Sequence, residues 1–178
     1  MSRREIKDKL KKDEAYAKYK QILNYCTGLA EFENLVTELE HMHKARKSRD
    51  LHLKTPDVHK LIDASLQGSS FRSRCVEIMV TVQKAHRLLL AATERIETHT
   101  STTYRNLIPG KSIAERRTYI RNLFQVAHYK LADYERIIEM AKLLVEDLDQ
   151  WGWTAKHTLD ALNLIYTREN IVGNGRKL

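Results

Sequence analysis

The densest run of potential metal ligands is Glu38-Leu39-Glu40-His41-Met42-His43, which contains Glu-x-x-His twice in overlapping register. On a helix that spacing puts a carboxylate and an imidazole on one face. A di-iron bundle, however, needs the motif on two helices together with two further inward glutamates. No second copy occurs, and the chain has no Gly-rich phosphate loop, no cysteine pair at zinc spacing and no serine in a nucleophile elbow. The run therefore reads as a solvated charged face. The residue types predict no catalytic group, no metal and no cofactor, and so a protein that is not an enzyme.

The basic clusters point to a different chemistry. Lys44, Arg46, Lys47 and Arg49, with Lys54 beyond them, close a predicted helix. Cations there also complement the helix dipole, which accounts for two or three of them but not for all. A second cluster, Arg105, Lys111, Arg116, Arg117 and Arg121, is opposed only by Glu115. The stretch after it carries Asp133, Glu135, Glu139, Glu146, Asp147 and Asp149 against Arg136 and Lys142. Local excesses of this kind bind phosphate groups, with counterion release as the driving term. Aromatics are sparse in both clusters, so the expected contact is with the nucleic-acid backbone and tolerant of sequence. The formal charge of +8 and a pI near 9.5 agree with a polyanionic partner, without selecting one.

Elements that could position these clusters follow from the apolar spacing. Phe71, Cys75, Ile78, Val82, Ala85, Leu89, Ala92 and Ile96 alternate steps of four and three, and so do Ile120, Phe124, Ala127, Leu131, Tyr134, Ile138, Ala141, Val145 and Leu148. This is the seven-residue repeat of a coiled-coil seam. Only a linker centred on Pro109-Gly110 separates the two, so the arms are expected to pair antiparallel. Ser112-Ile113-Ala114-Glu115 supplies a capping box for the second arm. Leu88, Leu90, Leu123, Ile137 and Leu144 widen the stripe, so other helices or other subunits should cover it.

The predicted fold is all-α, a long antiparallel helical hairpin packed with shorter N- and C-terminal helices. Residues 1–68 form N-terminal helices bearing the basic patch, 69–150 the hairpin, 151–172 a C-terminal helix and 173–178 a disordered basic tail. Within the first segment, one helix runs from Ser2 to Tyr25 and stops at Thr27-Gly28, and a second begins near Leu29. A short helix starts at Thr55-Pro56-Asp57 and stops at Gly68. The hydroxyl run from Thr98 to Thr103 weakens the first arm. The second arm ends at Gln150-Trp151-Gly152-Trp153, and Thr154 caps a last helix to Thr167. Trp153, Leu159, Leu162 and Ile165 are the expected self-association residues. Cys26 and Cys75 read as small buried hydrophobes in a reducing compartment. No apolar run approaches the roughly 20 residues needed to span a bilayer, so no membrane partner and a cytoplasmic location are expected.

Three segments resemble the phage recombination mediators of the UvsY type: Lys9-Leu10-Lys11-Lys12-Asp13, Lys44-Ala45-Arg46, and Leu148-Asp149-Gln150-Trp151-Gly152-Trp153-Thr154-Ala155-Lys156-His157. The third is similar to a family ending in which a helix breaks at glycine-aromatic and resumes with a lysine. The resemblance implies a homo-oligomer that binds single-stranded DNA and helps load a recombinase, with a recombinase or a single-strand-binding protein as its protein partner, in the host cytoplasm. It implies DNA contacts at Lys44 and Arg46 and assembly through the C-terminal helices. The alternative reading of the same residues is a helical scaffold or virion component whose charge serves acidic protein partners.

Overall fold

The computed structural model describes residues 3–54 and 57–174, and among these the chain is α-helical apart from a single 3-10 turn and short connections. Helices α1 (Arg3–Leu10), α2 (Glu14–Leu29), α3 (Phe32–Ser48) and α4 (Asp50–Lys54) precede α5 (Val58–Thr103). The 3-10 turn at Arg105–Leu107 follows, then α6 (Ile113–Leu123) and α7 (Gln125–Asn174). The helices form two compact units. One comprises residues 1–35 and 79–139, the other residues 36–78 and 140–178, and α5 and α7 contribute to both.

In the first unit the seam is buried as spaced. Val82, Ala85, Leu89, Ala92 and Ile96 of α5 are inaccessible or nearly so, as are Phe124, Ala127, Leu131 and Tyr134. The two helices run antiparallel, because His86 pairs with Glu135 at 3.3 Å while Glu97, further along α5, pairs with His128, earlier on α7, at 2.7 Å. Helix α2 packs across them. Tyr134 donates its hydroxyl hydrogen to the carbonyl of Cys26 at 2.8 Å, and Tyr16, Tyr19 and Phe124 form an aromatic cluster with centroids 5.4 to 6.5 Å apart. In the second unit the antiparallel relation recurs. Arg72 of α5 meets Asp149 of α7 at 2.6 Å, and Leu61 and Ala64 form a buried cluster with Trp151 and Ala155.

Several expected helix boundaries move. Gly68 does not stop a helix, because Leu61, Ala64 and Gly68 continue the three-four register of Phe71 and Cys75 toward the N-terminus, so burial carries the helix through. Gly152 does not end the second arm either. Trp151 and Ala155 extend the register of Leu148, and α7 is continuous from Gln125. Thr154 is thus an interior residue whose hydroxyl donates to the Gln150 carbonyl rather than a cap. Helix α5 also persists through the hydroxyl run: Thr100 donates to Ile96 O at 2.7 Å and Thr102 to Thr98 O at 3.1 Å, so those side chains bond to the turn behind them instead of disrupting it.

Two breaks occur where continuous helices were expected. The N-terminal helix divides at Lys11-Lys12-Asp13, where Asp13 caps α2, and the second arm divides at Phe124, whose N–H is shared between the Ile120 and Arg121 carbonyls. The seam also slips beyond Tyr134. Ile137 and Leu144 are buried where Ile138 and Val145 were expected, and these two are half-buried, because two successive three-residue steps insert a stammer into the heptad. Gly173 and Asn174 of the expected tail still belong to α7, while Thr55 and Pro56 of the expected helix start and residues 175–178 lie outside the described residues.

A Cβ added at Gly152 would meet nothing within 4 Å. Mid-helix glycine costs about 0.5–1 kcal/mol relative to alanine. Gly152→Ala should therefore stabilise the protein by about that amount in a urea titration. A loss of stability would show that the chain breaks at this position.

Candidate nucleic-acid interface

The tip between α5 and α6 is built by three local devices. After Thr103 the chain forms the 3-10 turn, buries Ile108 and turns at Pro109-Gly110. Gly110 sits at φ +134°, where an added Cβ would approach Arg116 Cγ and Glu115 Cβ to 3.1 Å, so this turn requires glycine. The capping box then forms as the sequence specifies. Ser112 Oγ accepts from the Glu115 N–H at 3.1 Å, while Glu115 Oε2 accepts from the N–H groups of Lys111 at 2.7 Å and Ser112 at 3.5 Å. Arg116 Nε donates to the Gly110 carbonyl at 3.0 Å and is half-buried. Arg105, Lys111, Arg117 and Arg121 are exposed.

The first unit brings a second group of cations to this tip. Asp13 Oδ1 accepts from the Ala15 N–H at 2.8 Å, capping α2, and its Oδ2 accepts from His99 Nε2 and from the Tyr104 hydroxyl, both at 2.8 Å. Tyr104 immediately precedes Arg105, and Asp13 immediately follows Lys11-Lys12. The carboxylate therefore ties the lysine run at the end of α1 to the chain at the tip. Helix α1 buries Ile6 and Leu10 and leaves Lys7 and Lys9 exposed, and Lys11 and Lys12 are exposed in the turn that follows it. Among the described residues, no ion pair includes Lys7, Lys9, Lys12, Arg105, Lys111, Arg117 or Arg121. The α1 lysines did not enter the expected interface. The available signal was Asp13 itself, an N-cap residue followed by an acidic first turn.

The cluster at the end of α3 separates into free and committed charges. Lys44 and Lys47 are exposed. Arg46 is held by Asp50 at 2.6 Å and Asp147 at 2.8 Å with its side chain only 12% exposed. Arg49 is 3% exposed, its guanidinium 4.8 Å from the Phe71 ring and 5.9 Å from that of Trp151. Neither arginine belongs to the exposed field expected of this patch, because the fold has turned both inward. Glu38, of the overlapping Glu-x-x-His run, is likewise committed, accepting from Arg74 at 2.6 and 3.1 Å.

The expected self-association residues also divide. Leu159 and Leu162 pack against the cluster of Leu61, Ala64, Trp151 and Ala155 within their own unit. Trp153 meets the His157 ring edge-on and is 66% exposed, while Ile165 and its neighbours Leu164 and Tyr166 are open to solvent. Among the described residues no helix is long and apolar enough to cross a membrane. Compared with protein-family models, curated proteins and solved structures, the chain gives no match.

The hydrogen bond from His99, with that from Tyr104, holds the Asp13 carboxyl below its ordinary value, and the same contact pushes the Tyr104 hydroxyl up. A carboxyl lowered on folding contributes stability above its unfolded value of about 4 that is lost as pH falls through the folded value. Asn caps a helix as well as Asp does, so Asp13→Asn removes the charge and spares the cap. It should cost roughly 1–3 kcal/mol at neutral pH by the usual worth of a charged hydrogen bond. The difference from wild type should shrink as denaturation is repeated from pH 6 down to pH 2. A pH-independent difference would mean that the carboxylate charge is not what ties α2 to the tip.

Proposed function

We infer that this protein is a non-enzymatic accessory protein that binds single-stranded nucleic acid by its backbone and associates with further copies of itself. The observation that carries the reading is the set of exposed, unpaired cations that α1 and the hairpin tip present together. Their frame of capped helix ends and buried seam fixes where the charges stand and costs little ordering on binding. Residues 5–12 and 105–121 contain one aromatic residue, the half-buried Tyr119, so base stacking contributes little and sequence preference is weak. Lys44 and Lys47 add a smaller exposed patch on the second unit.

A role in recombination, as a mediator that helps load a recombinase, rests on the UvsY-type resemblance. Its first segment, Lys9 to Asp13, supports that role by ending α1 beside the tip. Its third segment gives no support, since α7 runs unbroken through Gly152. Self-association is supported by Leu164, Ile165 and Tyr166, which leave 73%, 53% and 56% of their surface exposed near the end of α7.

Fluorescence anisotropy with mixed-sequence single-stranded oligonucleotides at several salt concentrations tests the binding. Charge reversal at Lys9 and Lys12, or at Arg117 and Arg121, should weaken binding and flatten the slope of log affinity against log salt by about 0.7 per lost contact. Lys44→Glu with Lys47→Glu should have the smaller effect. Wild-type protein that does not bind even at low salt would transfer the charge to acidic protein partners and favour the scaffold reading.

Leu164→Asp with Ile165→Asp changes residues already in solvent and should leave the fold intact while lowering the mass seen by sedimentation. An unchanged mass would place the contact between copies elsewhere.

A further inference from the structure

Among the described residues Arg49 is the charged side chain most deeply withdrawn from water, and no ion pair includes it. The other buried polar side chains, Thr93 and Thr100, are satisfied by the carbonyls of Leu89 and Ile96. Arg49 is not. Its Nη1 donates to the Ala64 carbonyl at 3.2 Å, while Nη2 is buried with no hydrogen-bond partner, as is the indole N–H of Trp151 against which the guanidinium lies. Gly68 adjoins the same group, since a Cβ there would lie 3.5 Å from Nη1. Desolvation, and then the like charge of Arg46, push the Arg49 guanidinium down. Asp50 and Asp147 are engaged by the two terminal nitrogens of Arg46, and neither pairs with Arg49. A buried cation is tolerated when a counter-charge and acceptors reach it, and the second unit supplies Arg49 with one carbonyl.

Beside it lies an open cavity of about 360 Å³ whose walls include Arg49, Lys60, Gln67, Ser48 and one acid, Asp63. The Lys60 side chain is 65% exposed and its ammonium stands 3.8 Å from Asp57, a loose contact it can leave. The volume far exceeds that of a halide ion. Two cations and the Gln67 amide form a donor set for a multiply charged oxyanion, and the planar fork of arginine matches two oxygens of one such group. Asp63 offsets one of the two charges, and a phosphate supplies three acceptor oxygens, enough to meet the Arg49 guanidinium and the Lys60 ammonium together. We propose that this cavity is a phosphate-binding site in which Arg49 and Lys60 hold the phosphate oxygens. It is separate from the interface at the hairpin tip and stands whether or not that interface binds nucleic acid.

Melting temperatures in sodium phosphate and in sodium chloride, at matched pH and ionic strength, test the site. The wild type should melt higher in phosphate, with a gain that saturates. Arg49→Met replaces the buried charge with an apolar chain of similar length. It should melt no lower than wild type in chloride and gain nothing from phosphate. Lys60→Gln, at the exposed rim, should keep the wild-type melting point in chloride and bind inorganic phosphate at least tenfold more weakly by calorimetry. It decides the matter if Arg49→Met fails to fold. A wild type indifferent to phosphate, or a phosphate gain surviving both substitutions, would overturn the site.

Phosphorus NMR of bound inorganic phosphate distinguishes the sources. Displacement by an oligonucleotide with no terminal phosphate assigns the site to backbone phosphodiesters, and retention assigns it to free phosphate or a phosphomonoester. Loss of oligonucleotide binding on charge reversal at Arg117 and Arg121, with the phosphate gain intact, would separate the fates of the two sites.

Discussion

Burial of the three-four repeat on α5 and α7 is what makes these chains helical over 46 and 50 residues. Neither helix has the local propensity to persist alone. Gly68 and Gly152 each cost about 1 kcal/mol relative to alanine, and the threonines near the end of α5 compete for backbone partners. Against this, a buried Leu or Ile contributes about 1.5–3 kcal/mol, and the repeat places one every turn or two, as at Leu89, Ile96, Leu131 and Ile137. Small residues at Cys75, Ala85, Ala92, Ala127 and Ala141 lie between them, so the facing helices approach closely along the seam. The glycines survive inside helices because tertiary burial outweighs them.

A seam that uses up the apolar residues leaves the charged ones to divide between pins and free surface. The pins are carboxylates met by Arg46, Arg72 and Arg74 in one unit and by His86, His99 and His128 in the other. Each exposed pair contributes little to stability. Their effect on function is larger, because every carboxylate so engaged is removed from competition with a polyanion. The acids along α7 illustrate this: Asp147 and Asp149 are taken up by arginines of their own unit, and Glu135 by His86. At the tip Glu115 is spent on backbone N–H groups and Asp13 on His99 and Tyr104, and Arg105, Lys111, Arg117 and Arg121 are left to solvent.

The parts of the fold legible in the sequence are those set by local chemistry or by strict period. The seam positions as far as Tyr134, the capping box at Ser112 and Glu115, and the glycine turn at Gly110 are of this kind. What was not legible depends on which element packs where. Phe124 interrupts a helix without any Pro or Gly, in a cluster with Tyr16 and Tyr19 that joins residues about a hundred positions apart. The stammer at Tyr134 is invisible because Ile137 and Ile138 are equally apolar and only packing selects between them. Asp13 could have been read as a cap, but its bonds to His99 and Tyr104, which bring the α1 lysines to the tip, could not.

Arg46 and Arg49 show most plainly why charge in a sequence does not specify an interface. They lie three residues apart, and the α3 helix ends between them at Ser48, with the Arg49 N–H closing on the Arg46 carbonyl at 3.1 Å. That one turn sends Arg46 to two carboxylates and Arg49 beneath Phe71 and Trp151. An arginine already neutralised by its own fold has no reason to take a phosphate, and one in open solvent takes it weakly and without geometry. Arg49 belongs to neither class. It has been dehydrated during folding and oriented by two rings, and no carboxylate meets its charge. The cost of preparing an anion site at that position is therefore borne by the folded protein before any ligand arrives.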